Sequence, residues 1–242
     1  MTHPKKIAII GATSGMGRRM AELYNEKGHQ VGISGRRQQL LEEIRQESSQ
    51  RIEYECFDVT KSGNISHLEA LVNKLGGLDI LVISAGTGEP SKDLNWKIDK
   101  TIVDTNVNGF IEIANWTFNY FLKQGHGQLA TISSIAAIRG SSWAPAYNAS
   151  KAFQSNYFEG LAIKAKRLKK NIAVTCIEPG FVNTSMAKGG DKMFWVVPVD
   201  KAARQIIRAI EKRKRKIYIS RRWWLIAKIV KWAPFWLYKR FG

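Results

Sequence analysis

Tyr147 and Lys151 stand four residues apart in the stretch YNASK, a spacing that stacks them on one face of a helix. A phenol titrates near pH ~10, so it is a poor acid or base at neutral pH until a nearby cation favours the phenolate. Lys151 can supply that cation, although such a pair also occurs by chance on helix surfaces. Ser134, in TISSIA and 13 residues upstream of the tyrosine, falls at the mouth of a strand. Its hydroxyl can hold a substrate oxygen against Tyr147. Together the three groups suit proton transfer to or from a substrate oxygen.

A second group of residues suits a dinucleotide. The strand pattern KIAIIG runs into Gly11, Gly15 and Gly17 of GATSGMG and then into a helical stretch. That layout lets backbone approach a pyrophosphate and points helix N–H groups at its charge. The spacing is GxxxGxG rather than GxGxxG, and three glycines also serve a tight strand-to-helix connection. At the end of the second strand pattern stand Arg36 and Arg37 of SGRR, where a carboxylate would favour ribose hydroxyls and arginine favours a 2′-phosphate. NADP(H) is therefore expected in preference to NAD(H), against the alternative that the two arginines form a solvated helix start. Asp58 in CFDV is placed either to accept from an adenine amino group or to cap the next helix. His3, His29, His67 and His126 are scattered singly, and no metal site is expected.

These residues need a frame. Apolar strand-like runs alternate with helical stretches from KIAIIG through LDILVISAG, which argues for βαβ units and a parallel sheet covered on both faces. Beyond a polar stretch at 87–97, the pattern predicts a helix over about 98–123 and a strand at QLATISS. It continues with a helix from near Tyr147, a strand at IAVTCIEP, a helix over 200–212 and a strand at KIYIS. The expectation is one α/β domain, a doubly wound parallel sheet of seven strands. Cys56 and Cys176 sit singly in strand-like runs, without the spacing of a disulfide framework or zinc site.

In its motifs the chain resembles the short-chain dehydrogenase/reductase family, in the compact classical branch, over residues 1–220. The resemblance rests on GATSGMG, DV at 58–59, SAG at 84–86, NVNG at 106–109, SS at 133–134, YNASK at 147–151 and PGFVNT at 179–184. It implies a single-domain Rossmann fold, with Tyr147 as general acid or base and Ser134, rather than Ser133, holding the substrate oxygen. It also implies that Lys151 lowers the tyrosine pKa and binds the nicotinamide ribose, and that Asn106 holds a water linking Lys151 to solvent. Cofactor contacts are implied for Gly11, Thr13, Ser14, Gly15, Met16, Gly17, Asp58, Val59, Ser84, Ala85, Gly86, Tyr147 and Lys151. Pro179, Gly180, Val182 and Thr184 match the segment cradling the nicotinamide amide. The substrate is then a carbonyl or alcohol, and a non-catalytic cofactor-sensing protein of the same fold is the competing class. Ile10 and Ser84 depart from the family's usual Thr and Asn, which implies altered local bonding. Ile135, Arg139, Ser141 and Trp143 are expected on the substrate side, and only about 15 residues separate Thr184 from the helix at 200.

The net charge of +18 is concentrated at the C-terminus, since 212–242 holds 11 Lys or Arg and no acid. Within 221–242, four tryptophans and several aliphatics are interleaved with Arg221, Arg222, Lys228, Lys231, Lys239 and Arg240, and Pro234 divides the stretch. Its uncharged runs fall far short of the ~18–20 apolar residues that span a bilayer. Three readings fit: an interfacial helix on anionic lipid, an arm that buries its aromatics against the body or against a partner subunit of the homodimer or homotetramer that the resemblance implies, or a nucleic-acid contact, which no recognised module supports. The start MTHPKKIAIIG enters a strand pattern without a signal-peptide layout, so a cytoplasmic location is expected, peripheral to a membrane if the tail binds lipid.

Overall fold

The computed structural model describes residues 3–48, 52–184, 194–220 and 222–240. Seven parallel strands, β1 (Lys6–Ile10), β2 (Gln30–Gly35), β3 (Ile52–Cys56), β4 (Ile80–Ile83), β5 (His126–Ile132), β6 (Asn171–Pro179) and β7 (Lys216–Ile219), lie in the order 3-2-1-4-5-6-7. The order reverses at β1, so the strands to either side leave a crevice at their carboxyl ends. Ligands bind at such a switch point in open α/β sheets.

Alternation along the strands divides the apolar side chains between two layers. Ile7, Ile9, Ile33 and Val82 face α1 (Gly15–Glu26), α2 (Gln38–Glu47) and α7 (Val199–Glu211), packing with Met20, Leu41 and Ile206. Ala8, Ile10, Leu81 and Ile83 face α3 (Asn64–Lys74), α5 (Phe110–Gln124) and α6 (Pro145–Arg167), packing with Leu71, Phe118 and Phe158. Both sheet faces are thus covered, which is why the strands read as continuous apolar runs.

The long helix expected over 98–123 is interrupted. α4 (Trp96–Val103) and α5 are joined by a π-helical turn at Asp104–Gly109, and such turns often mark functional sites. A Cβ on Gly109 would lie 2.2 Å from the Val59 carbonyl oxygen, so the close approach of this turn to the end of β3 requires glycine. Of the two cysteines, Cys176 is buried and Cys56, closing β3, is half-exposed; both are free thiols.

The C-terminal stretch folds onto the body as α8 (Arg222–Trp232) and α9 (Phe235–Tyr238), separated at Pro234 as the sequence suggests; Arg221 lies outside the described residues. Trp223 and Ala227 are buried. Trp223 stacks on Phe194 at 5.2 Å and meets Phe181 edge-on at 5.3 Å. Arg139 clamps the other end by donating to the carbonyls of Val230 and Ala233, and Tyr238 donates to the Gly140 carbonyl at 2.7 Å. No described helix is long and apolar enough to cross a membrane.

Gly11 and Gly63 allow a clean test of close packing at the crevice. Both have left-handed φ, +87° and +88°, but a Cβ on Gly11 would sit 2.4 Å from the Ala85 nitrogen, whereas one on Gly63 meets nothing within 4 Å. Gly63→Ala should cost about 1–2 kcal/mol from backbone strain alone. Gly11→Ala should cost about 1–3 kcal/mol more from overpacking. Urea denaturation measures both, and equal losses would contradict the packing described.

Candidate active site

Ser134 leaves the end of β5 and caps the short 3₁₀ turn Ile135–Ile138, its Oγ accepting from the Ala136 N–H at 3.1 Å. The hydroxyl hydrogen stays free to donate, and it reaches the Tyr147 phenol. Pro145 opens α6, and Tyr147 and Lys151 follow on successive turns of one face. The Lys151 Nζ lies 5.9 Å from the Tyr147 ring centroid. The backbone of Gly88 also packs on that ring, where a Cβ would come within 2.7 Å of Cε2. Ser133 is engaged elsewhere. Its Oγ donates to the Lys151 carbonyl at 2.9 Å and lies 3.0 Å from Ser155 Oγ, so at the cleft wall it braces α6.

Lys151 is buried, and its Nζ donates to the Ile132 carbonyl and to Gln154 Oε1, both at 3.0 Å. Burial draws its pKa down to about 8. Tyr147 moves the other way from the expectation. Burial raises its pKa above the ordinary value, and only the Ser134 hydrogen bond works against that rise. The Lys151 ammonium, 5.9 Å from the ring centroid, does not change that direction.

Asn106, on the π-helical turn, is fully buried and held on all sides. Its Oδ1 accepts from the Thr87 N–H at 2.9 Å, while its Nδ2 donates to the Thr87 carbonyl and Ser150 Oγ. Its carbonyl accepts from Gln154 Nε2 at 2.9 Å. The Gln154 side chain thus bridges the Asn106 carbonyl and the Lys151 ammonium. Gln154 carries no motif signal, because an amide three residues after a lysine reads as ordinary helix surface.

At the other end of the crevice, α1 begins at Gly15 with Ser14 as its N-cap residue. Neither a side-chain cap nor an acidic residue engages its first turn. Its leading N–H groups, which have no intrahelical acceptor, are available to an anion. Gly17 packs so tightly that a Cβ would lie 2.3 Å from the Gly11 carbonyl oxygen and 3.0 Å from Ser84 Oγ. Ser84 thus fills against the glycine turn, and Ala85 backs Gly11. Arg37 donates to Thr13 Oγ1 at 2.5 Å and Ser14 Oγ at 3.1 Å, which fastens the end of β2 to that turn. Arg36 projects into solvent, its Nη1 3.9 Å from Asp58. Asp58 does not cap α3, whose N-cap residue is Gly63. It closes a turn by accepting from the Thr60 N–H and hydroxyl. Val59, next to it, is buried and accepts from Asn64.

Between these ends lies a cleft of about 450 Å³ that gathers Met16, Ser84, Gly86, Ser134, Tyr147 and Lys151 with Pro179, Gly180, Val182 and Thr184. Thr184 reaches across to Gly15, its Cγ2 3.4 Å from where a Cβ would stand. Of the four expected substrate-side residues, Ile135 and Ser141 line the cleft. Arg139 instead holds the end of α8, and Trp143 packs under Lys92 with the ammonium 3.7 Å from its ring centre. Sequence reading missed Trp223. It packs against Gly180, where a Cβ would come within 2.1 Å of the indole, so the C-terminal helix backs one residue of the cleft lining. Among the described residues no cluster of His, Cys, Asp or Glu could hold a metal ion.

Comparison with known proteins bears on the family and the fold. A model of the short chain dehydrogenase family matches residues 5–193. An uncharacterized oxidoreductase of Myxococcus xanthus is 35% identical over 184 residues, covering 74% of this chain and 72% of its own. One from Mycobacterium tuberculosis is 28% identical over 239 residues, covering 95% and 90%. Among solved structures, a short chain dehydrogenase from Burkholderia cenocepacia in complex with NADP superposes with a TM-score of 0.83 at 19% identity, covering 98% and 97%. A 3-ketoacyl-(acyl-carrier-protein) reductase from Brucella melitensis complexed with NADH gives 0.78 at 21% identity, covering 89% and 96%. The chain belongs to the short-chain dehydrogenase family of oxidoreductases.

Proposed function

We propose that this protein is an NADP(H)-dependent oxidoreductase that interconverts a carbonyl and a secondary alcohol on an apolar, lipid-like substrate, with Tyr147 as general acid or base. The observation that carries the reading is a buried lysine one turn from a tyrosine whose phenol meets a serine hydroxyl at the wall of the cleft. The chain fits the cofactor. The uncapped N-terminus of α1 would take the pyrophosphate, Arg36 and Arg37 the 2′-phosphate, and Asp58 and Val59 the adenine. Gly11, Thr13, Ser14, Gly15, Gly17 and Ala85 shape the approach. Ser84 and Gly86 would lie beneath the ribose, Lys151 would donate to its hydroxyls, and Pro179, Gly180, Val182 and Thr184 would hold the carboxamide.

When bound, the nicotinamide supplies or takes up the hydride at the substrate carbon. In the reductive direction, charge builds on the carbonyl oxygen, Ser134 Oγ donates a hydrogen bond to it, and Tyr147 Oη transfers its proton, leaving an alcohol and a phenolate. The Lys151 ammonium stabilises that phenolate, which is then reprotonated from solvent; oxidation reverses each step. The apolar walls, Ile135, Ala136 and Phe181 among them, suit an aliphatic substrate. Asn106 supports the group through its own bonds.

We place the enzyme in the cytoplasm at an anionic membrane surface. α8 buries Trp223 and Ala227 and turns Trp224, Leu225, Ile229 and Trp232 outward, followed by Phe235 and Trp236. Beside this face runs a groove of about 930 Å³ lined by Lys201, Arg208, Lys212, Lys214, Lys216 and Arg222 and bordered by Trp195 and Trp224. Aromatic insertion next to concentrated cations matches anionic lipid. We also propose a homodimer or homotetramer, supported by exposed apolar Leu94, Trp96 and Val103 around α4.

Purified protein should oxidise NADPH with medium- or long-chain ketones or aldehydes, and Tyr147→Phe should lower kcat/KM by about 10²–10⁴ while NADPH still binds. Reduction should weaken as pH rises through about 8, where Lys151 loses the charge that supports Tyr147. Tight NADPH binding without turnover would favour a sensor. Arg36→Asp with Arg37→Ala should cut the NADPH over NADH preference at least ~10-fold, and an unchanged ratio removes the phosphate assignment. Vesicles containing phosphatidylglycerol should sediment the protein, vesicles of phosphatidylcholine alone should not, and Ile229→Asp with Trp232→Asp should abolish the binding. A variant that instead dissociates an oligomer, with neither vesicle bound, would make this face a subunit interface.

A further inference from the structure

Gln154 is fully buried on α6, one turn after Lys151, in the layer between that helix and the π-helical turn. Burying an amide costs free energy unless both ends are satisfied, and packing alone would be served as well by leucine. Both ends are satisfied here, and in only one sense. Oε1 accepts from the Lys151 ammonium at 3.0 Å, and Nε2 donates to the Asn106 carbonyl at 2.9 Å. Flipped, the amide would set N–H groups against an ammonium and an oxygen against a carbonyl, two repulsive contacts at a fully buried side chain. Asn106 is itself tied to Thr87 and Ser150, so the anchor does not move.

The ammonium has three N–H bonds. The Ile132 carbonyl takes one and Gln154 takes another. The third is left for the cleft, where Nζ lies 3.3 Å from the position of a Cβ on Gly86. We propose that Gln154 is a positioning residue, whose amide aims Lys151 at the cleft and holds it in its charged form. Asn106 acts through Gln154, as the fixed point against which the amide is braced.

The groups facing Lys151 leave this task to Gln154. From its own helix comes Tyr147, which is neutral at rest. From β6 comes Cys176, whose thiol burial pushes up to about 11. Farther along β6, Glu178 is paired with Lys216 and Ser155. Beyond the π-helical turn's own buried residues, Asp104 is paired at the surface with Lys100. No carboxylate among the described residues reaches the ammonium, so neutral acceptors hold its charge against desolvation.

Two substitutions of opposite character test this. Gln154→Leu removes the acceptor and should lower the Lys151 pKa by about one unit. Gln154→Glu sets a carboxyl group against the same ammonium and should raise it. The first readout is the titration of Lys151 in cofactor-free protein by NMR of ¹³Cε-lysine, assigned with Lys151→Arg. It stands whether or not the chain reduces carbonyls. The second, which rests on the reductase reading, is the alkaline limb of kcat/KM, which should move in the same directions. Shifts of opposite sign support the positioning role. An unmoved Lys151 resonance in both variants, or shifts of the same sign, overturns it, because a purely structural residue would lower stability without separating the two. Should Gln154→Leu fail to fold, Gln154→Glu alone decides: an unmoved or lowered pKa contradicts the proposal. Wild-type protein without turnover would defeat the reductase reading and leave the NMR result standing.

Discussion

Holding an ammonium group inside the protein is the constraint to which the rest of the site answers. Lys151 is desolvated enough to bring its pKa down to about 8 from 10.5, so below pH 8 the folded state carries the full cost of a buried charge. Between those two values the unfolded chain binds a proton that the folded chain does not, and this group's contribution to stability rises with pH. The fold tolerates that cost because the end of β5 offers the Ile132 carbonyl, α6 offers Gln154, and the cleft leaves the third donor open. Each partner is fixed in turn. Ile132 lies in the sheet, Gln154 is braced on Asn106, and Asn106 sits on a turn whose approach to β3 depends on Gly109.

The same end of the sheet carries the groups placed to receive an anion. The reversal of strand order at β1 opens the crevice, close packing of Gly11 and Gly17 brings α1 against β4, and Arg37 ties the end of β2 to the turn. The C-terminal helix completes the frame from the opposite side. Because Trp223 presses on Gly180 and Arg139 holds the last carbonyls of α8, the outward tryptophans are displayed on a fixed helix that also forms part of the cleft's support. In the proposed account, the helix that meets lipid therefore packs against Gly180 of the cleft that receives substrate.

Much of this was legible in the chain. The seven-strand doubly wound sheet follows from the alternation of apolar runs, and the break at Pro234 follows from the missing N–H. Ser134, Tyr147 and Lys151 converge because strand ends and helix starts meet at one edge of a parallel sheet. What was not legible depends on tertiary placement. The interruption at Asp104–Gly109 leaves the apolar periodicity intact, so 98–123 reads as one helix. Of the two readings of Asp58, adenine contact or helix cap, the cap does not form, since five residues separate it from Gly63 and it closes a turn with Thr60. The direction of the Tyr147 shift needs the depth of the cleft, which no spacing reports. Arg139 looks like a pocket residue until the tail is seen folded over it. Gln154 acquires meaning only when Asn106 is brought opposite it.

The most direct test of the account follows the hydride itself. Protein incubated with NADPH deuterated at C4 and a long-chain ketone should yield an alcohol carrying one deuterium at the carbinol carbon, detected by mass spectrometry, at a rate that collapses in Tyr147→Phe. Deuterium absent from every product while the cofactor is bound, or transfer equally fast without the tyrosine hydroxyl, would contradict it.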